Sequence, residues 1–508
     1  MLDEEQPLLR SDGEATVPDA EQRRQQHSLD FDPTGDPDDP QQWPATYRWG
    51  IVALLALLAF TVTFTCISVV PVAGPIIADL SPSHTSTKSA SVLLVTIWEL
   101  GEATGPFLIA PLSEVYGRSP VFHAANCLFI LGVLLTALAP SPGVLIFARF
   151  LTGCAVTSNV LNPSVIGDLF PPESRGSAVS LVMLAPLIGG SVGPAIAGVI
   201  AQSSGWRQIM WMAIALACSC ELLFLALFRE TYKTVILNRR AACLRQETED
   251  ESLKANFAAE ASAADPNPVW TAIARPTKVF WSSIVLQMMS LYGAVVFSLF
   301  YVMSTTLPEI LREQYHLSPA LVGSSLISFT IGSLLGVLAC DTLLDRIYKR
   351  LQNASTDDLP HPEHRLPLVT FGAFALPLAV VLYGWTAELH LPVWLLLLSV
   401  ILLGFCMIIG TVPMMAYVVD AFGRYSASAT TSVLISRCLM GTFLPLTAAP
   451  LNARLGYGFG FMVIAALCLV LAPVPVFVMR YGGVWRQRSE YTRDDLGSGV
   501  TSERPAPS

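Results

Sequence analysis

Charge is what this sequence has least of. Asp, Glu, Lys and Arg make up 14% of its 508 residues, against 53% hydrophobic residues, where a soluble protein carries about 25% charge. What charge there is lies at the two ends and in one central block, which leaves apolar runs long enough to cross a bilayer. That excludes a soluble globular chain and, in practice, a β-barrel, whose strands would be short alternating segments. Cysteine pairing is also missing. None of the ten cysteines forms a C-x-x-C, and most sit inside apolar runs (Cys66, Cys127, Cys154, Cys340, Cys406, Cys438, Cys468). They read as small packing residues, not as metal ligands or disulfides. The seven histidines are scattered, so no metal site is expected. No apolar run follows Met1, so no cleaved signal peptide is expected. The net charge of −9 says little about partners, because much of it sits at the N-terminus.

The fold class expected is an all-α polytopic membrane protein. Residues 1–48 hold twelve acidic and four basic residues with repeated Pro, Gln and Ser, and read as a disordered cytosolic tail. Within it, Glu4 to Leu9 (EEQPLL) has the spacing of an acidic-dileucine sorting signal. Six helical spans are predicted at 49–70, 90–112, 120–139, 143–167, 177–201 and 207–228. A polar block, 229–277, separates them from six more at 279–303, 320–341, 366–385, 391–415, 427–450 and 457–480. The chain therefore divides into an N-terminal six-helix bundle (49–228), a cytosolic central loop (229–277), a C-terminal bundle (278–480) and a cytosolic tail (481–508). Two equal sets of six point to a duplicated bundle. Lys and Arg cluster in the central block, after the eighth span and after the twelfth, which places both termini and the central loop in the cytosol. The triplet Asn353-Ala-Ser355 reads as a glycosylation acceptor, unused on that side.

The richest stretch is WELGEATGPFLIAPLSEVYGRSPVFH, residues 98–123. A carboxylate at mid-bilayer costs roughly 2.5–3.5 kcal/mol, so Glu99 and Glu102 need a wet or paired environment. Three residues apart, they share one helix face and are candidates for proton carriage or cation binding. Glu221, isolated in the sixth span, is a weaker candidate of the same kind. Arg149 in the fourth span must find a counter-charge or a ring of carbonyls. After the second span the chain reverses within a few residues. Gly117 suits the turn, and Arg118 is expected to latch onto Glu114 or onto a carboxylate of a neighbouring helix. In the fifth span Gly189 and Gly193 allow close helix approach, and Pro186 and Pro194 bend the helix.

These motifs resemble those of the major facilitator superfamily. A-P-L-S-E-V-Y-G-R-S (110–119) is similar to its loop motif G-x-L-[AS]-[DE]-x-x-G-R-[RK], with Ala110 for the first glycine and Ser119 for the second basic residue. R-F-L-T-G (149–153) resembles its R-x-x-x-G motif, whose arginine is associated with proton coupling in the family. A-P-L-I-G-G-S-V-G-P-A-I-A-G (185–198), with Gly190 and Gly198 beside the residues above, resembles the antiporter motif of drug-exporting branches. D-L-F-P-P-E-S-R-G (168–176) is similar to a further family loop, in which Asp168 and Arg175 are expected to make interhelical charge pairs. The runs 36–43, 229–241 and 423–437 resemble fungal twelve-span drug:proton antiporters, and the likeness extends from residue 36 to about 480.

The resemblance implies a major facilitator fold and a secondary transporter that exports a drug, toxin or secondary metabolite by proton antiport. Its alternatives are proton-coupled nutrient or polyamine uptake and vacuolar sequestration. It implies no enzyme and no cofactor, the proton gradient being the energy source. The partners expected are a small-molecule substrate, protons and lipid, with no nucleic acid, in a monomer. The plasma membrane is the expected location and the vacuolar membrane the second. In the second half Asp345 and Arg346 repeat the loop motif degenerately, and Asp420 and Arg424 close the tenth span; all four read as gating or structural pairs. Gln287, Tyr292, Phe297 and Tyr301 of the seventh span are cavity candidates, as is Arg437 in the eleventh.

Overall fold

A computed structural model describes residues 28–29, 31, 35–81, 88–171, 174–248, 254–255, 268–354 and 362–492. The dileucine run, Ser355 of the acceptor triplet and most of both tails lie outside the described residues.

Long apolar stretches become helices because lipid leaves backbone groups no partner but each other. The first half runs α1 (Ala45–Ile67), α2 (Ala73–Leu80), α3 (Lys88–Tyr116), α4 (Arg118–Ala137), α5 (Pro142–Cys154), α6 (Ser158–Leu169), α7 (Arg175–Ser204) and α8 (Trp206–Leu227). Two connecting helices follow, α9 (Lys233–Thr248) and α10 (Pro268–Ser282). The second half runs α11 (Ile284–Glu313), α12 (Pro319–Ser325), α13 (Ile327–Ala354), α14 (Leu366–Glu388), α15 (Val393–Phe422), α16 (Ser426–Leu471) and α17 (Val474–Arg486). The one sheet among the described residues pairs Ser28–Leu29 with Lys254–Ala255.

Among the described residues, ten helical runs are long and apolar enough to cross a membrane. One of them, Ser426–Arg486, holds two crossings and turns at Gly456, where φ is +79° and the Glu388 carboxylate occupies the space of a Cβ. The fourth crossing, expected as one helix, is divided into α5 and α6 by residues 155–157. The helix ends there in a tightened turn, with the Val156 N–H on the Gly153 carbonyl, and the break brings Ser158 to the central cavity. Among the described residues six crossings thus fall in each half.

The two halves pack alike. α1 lies along α7 and α3 along α5 in the first; α11 lies along α16 and α13 along α15 in the second. The halves meet reciprocally, α3 on α16 and α7 on α12 and α13. Equally apolar helices gain nothing hydrophobic from each other in lipid, so backbone proximity and dispersion carry these seams. A Cβ on Gly101 would lie 2.3 Å from the Phe150 carbonyl, and one on Gly332 2.0 Å from the Ile401 carbonyl. Buried hydroxyls bond back to their own helix, as Thr65 does to the Thr61 carbonyl at 2.8 Å. The N-terminal end of α1, the end of α8 and residues 486–492 lie on one face, called here the termini side; the opposite one is the far side.

Candidate transport cavity

Midway along the helices, between the halves, lies a cavity of about 220 Å³. α1, α3, α6, α7, α11, α13 and α16 each contribute to its wall, so neither half makes it alone. Glu99, Glu102, Pro186, Gly190, Phe297, Tyr301 and Arg437 all line it.

Each carboxylate is held by the opposite half. The Tyr301 hydroxyl donates to Glu99 Oε1 at 2.5 Å, while Glu99 Oε2 is buried. Arg437 Nη2 stands 3.6 Å from Glu102 Oε1, and the guanidinium lies 4.6 Å above the Phe297 ring. The ring face attracts the cation and fixes its plane. Of this pair Arg437 is the more open, its side chain 32% exposed against 10% for Glu102. Thr442 adds a third bridge, its hydroxyl donating to the Thr96 carbonyl. Trp98, Phe300 and Phe329 complete an aromatic wall.

Arg149 is 1% exposed and meets carbonyls, not a carboxylate. It donates to the Thr65 carbonyl at 3.3 Å and the Cys66 carbonyl at 2.8 Å, in the last turn of α1. Its guanidinium lies 4.7 Å over the Trp98 ring, behind the cavity wall. A cation at a helix C-terminus also opposes the helix dipole.

In the termini-side loop Arg118 takes the second of its two expected partners, a carboxylate of a neighbouring helix. Glu114 is exposed; Arg118 pairs instead with Asp168 (3.4 Å), bonds the Ser113 hydroxyl (2.6 Å) and stacks 4.7 Å over Tyr232. Arg175 does not pair with Asp168, because its guanidinium donates to the Gly167 and Phe170 carbonyls at 2.7 Å. Glu230 closes this cluster. Its carboxylate accepts from the backbone N–H groups of Arg118, Ser119, Thr231 and Tyr232 and so caps α4. Gly117, at φ +100°, leaves room for it: a Cβ would lie 2.3 Å from Glu230 Oε2.

Other candidates fall away from the cavity. Glu221 accepts from the Asn126 amide at 2.6 Å and pairs with His123 Nδ1 at 2.7 Å, between α4 and α8. Gln287 donates to the Phe280 and Trp281 carbonyls, and Tyr292 is buried against Gly410. Asp345 and Arg346 lie on α13, with no ion-pair partner among the described residues. Asp420 pairs with Arg365, and Glu363 with Arg486 (2.9 Å), so the second half is clasped by residues that its degenerate loop motif does not announce. The Arg424 side chain lies outside the described residues.

The fifth-span motif serves two seams. A Cβ on Gly189 would lie 2.8 Å from the Phe60 carbonyl and one on Gly193 2.9 Å from that of Phe64, both on α1. One on Gly198 would lie 2.3 Å from the Pro319 carbonyl, and one on Gly323 2.1 Å from that of Pro194, so α7 and α12 seal the halves on the far side. Lys88 and Glu309 pair there as well, across the halves.

Sequence reasoning does not find His123, Asn126, Glu230, Glu363 or Arg365. Glu230 lies in the family-like run 229–241, but nothing in the spacing marks a cap supplied from over a hundred residues away.

Residues 52–445 match the Major Facilitator Superfamily. The chain is 32% identical over 469 residues to Efflux pump radE of Floropilus chiversii, covering 92% of this chain and 86% of that one. It is 32% identical over 463 residues to MFS transporter cpaT of Aspergillus oryzae, covering 91% and 92%. The fold is similar to the inward open xylose transporter XylE from E. coli, with TM-score 0.61 and 16% identity over 84% of this chain and 96% of that one.

Proposed function

The chain belongs to the major facilitator superfamily, and on that premise we propose that it exports a small organic compound, a toxin or secondary metabolite, in exchange for protons. It is a multi-pass membrane transporter and not an enzyme. The observation that carries the exchange reading is the Glu102–Arg437 pair, a titratable group facing a fixed cation across the junction of the halves.

The cycle follows from that pair. With Glu102 ionised, α3 and α16 hold each other at the cavity and Arg437 keeps its plane on Phe297. A proton on Glu102 removes the attraction that holds the halves in register there. Cargo and proton then favour different arrangements of the halves, which is what exchange requires, since a ligand that binds both arrangements equally moves nothing. Glu99, held by Tyr301, is the second such link. The aromatic wall suits a flat, largely apolar cargo. Export is supported by the efflux-pump relative and by the fifth-span motif. The Lys and Arg distribution supports a cytosolic termini side, and the reading takes the plasma membrane as the site of action, a monomer as the working unit and the proton gradient as the energy source.

The test is cargo-stimulated proton flux in proteoliposomes under an imposed pH gradient, with polyamines, azoles and aromatic polyketides as the panel. Proton movement with one class, abolished in Glu102→Gln, supports the reading. Cargo movement that ignores both gradient and substitution makes the protein a facilitator and sinks it.

A further inference from the structure

We propose that a basic hollow on the termini side, apart from the transport cavity, binds the headgroup of an anionic phospholipid. The hollow measures about 430 Å³ and is walled by Arg229, Arg239 and Arg240 together with Trp43 and Ile236. Its wall holds three arginines against two carboxylates, Asp38 and Glu230, and Asp36 stands outside the wall. Glu230 directs its oxygens to four backbone N–H groups, and Asp36 neutralises Arg240 at 2.6 Å. Asp38 then faces two arginines, Arg229 and Arg239, the second exposed on α9.

The depth of the hollow selects lipid over soluble phosphate. Tyr47, in the first turn of α1, donates its hydroxyl to the carbonyl of Leu227, the last residue of α8 (2.6 Å). Arg229 follows two residues later and lies 5.6 Å over the Tyr47 ring, while Trp43 packs edge-on against the same ring. Trp and Tyr favour the headgroup layer, so the guanidinium groups stand where phosphodiesters are. Arg229, Lys233, Arg239 and Arg240 follow the sixth crossing within one short stretch, a cluster that attracts anionic leaflets. Guanidinium forks match phosphate oxygens in pairs, and Ile236 and Trp43 offer apolar surface to the glycerol end.

The test is native mass spectrometry of the purified full chain titrated with phosphatidylserine and, separately, phosphatidylcholine. The expected result is preferential retention of phosphatidylserine, weakened about thirtyfold in Arg229→Gln/Arg239→Gln, at the scale of two lost surface cations. Arg239→Lys should retain more than Arg239→Gln, which alone leaves every ion pair described above intact. Equal retention of the two lipids, or undiminished retention in the variants, overturns the proposal. So does displacement of the lipid by millimolar glycerol phosphate, which would make this a soluble-phosphate site. None of these readouts depends on transport.

Discussion

Glu102 of α3 and Arg437 of α16 stand 3.6 Å apart at the junction of the two halves, with Arg437 laid over the face of Phe297. On the proposed exchange cycle, a proton on Glu102 releases one of several links between the halves, beside those of Glu99 with Tyr301 and Thr442 with Thr96.

Arg437→Gln removes the cation that faces Glu102. Breaking a fully buried pair costs roughly 3–5 kcal/mol, and less is expected here because about a third of Arg437 faces the cavity, 32% by exposure. Thermal unfolding should therefore come at lower temperature in Arg437→Gln and recover in the double variant Glu102→Gln/Arg437→Gln, while cargo-stimulated proton flux stays lost in both. Independent, additive effects on stability would mean that the two side chains do not interact.

Tyr301→Phe deletes the hydroxyl that joins Glu99 to the opposite half without changing the ring. A typical intramolecular hydrogen bond contributes about 0.5–1.5 kcal/mol. Transport should slow, with expression and folding kept; a rate equal to wild type would reduce Glu99 to a spectator.

Gly198→Val and Gly323→Val each force a side chain into a seam where the facing carbonyl lies 2.3 or 2.1 Å from the place a Cβ would take. The far side should then fail to close. In a background lacking reactive cysteines, a cysteine at Thr330 should become labelled from the far side in the variants and stay protected in the parent. Identical labelling would show that the α7–α12 seam is not the closure.

Glu230→Ala removes two backbone hydrogen bonds at the start of α4 and two in its own turn before α9, and leaves Gly117 without its neighbour. Loss of a helix cap costs about 0.5–2 kcal/mol, so a clear drop in thermal stability is expected. Restoration by Glu230→Gln should be partial, because an amide presents one acceptor oxygen where the carboxylate presents two. Unchanged melting in Glu230→Ala would mean that water replaces the cap at no cost.

Glu221→Gln serves as the contrast to Glu102→Gln. Glu221 is tied to His123 and Asn126 between α4 and α8, away from the cavity. Its substitution should lower stability and leave the proton-to-cargo ratio unchanged. A changed ratio would move proton coupling to the α4–α8 interface.

Some of these groups are legible in the chain and others are not, for physical reasons. An arginine or glutamate inside an apolar run announces itself, because lipid does not tolerate it unpaired; Glu99, Glu102, Arg149 and Arg437 stand out that way. Their partners do not. Arg118, expected to reach Glu114 or a neighbouring carboxylate, takes Asp168 because Glu114 faces outward. Tyr292 and Tyr301 lie on one helix with similar neighbours, yet only Tyr301 reaches the cavity. The difference is which face of α11 meets α3.

The sequence by itself determined the membrane class, the six-plus-six organisation and the reversal at Gly117, because hydrophobic run length and backbone chirality are local properties. Tertiary structure alone decided which charges meet. Glu99 finds Tyr301, Glu102 finds Arg437, and Glu230 caps α4, all across separations of more than a hundred residues. Such meetings depend on how glycine seams let helices approach, and spacing along the chain does not record that distance.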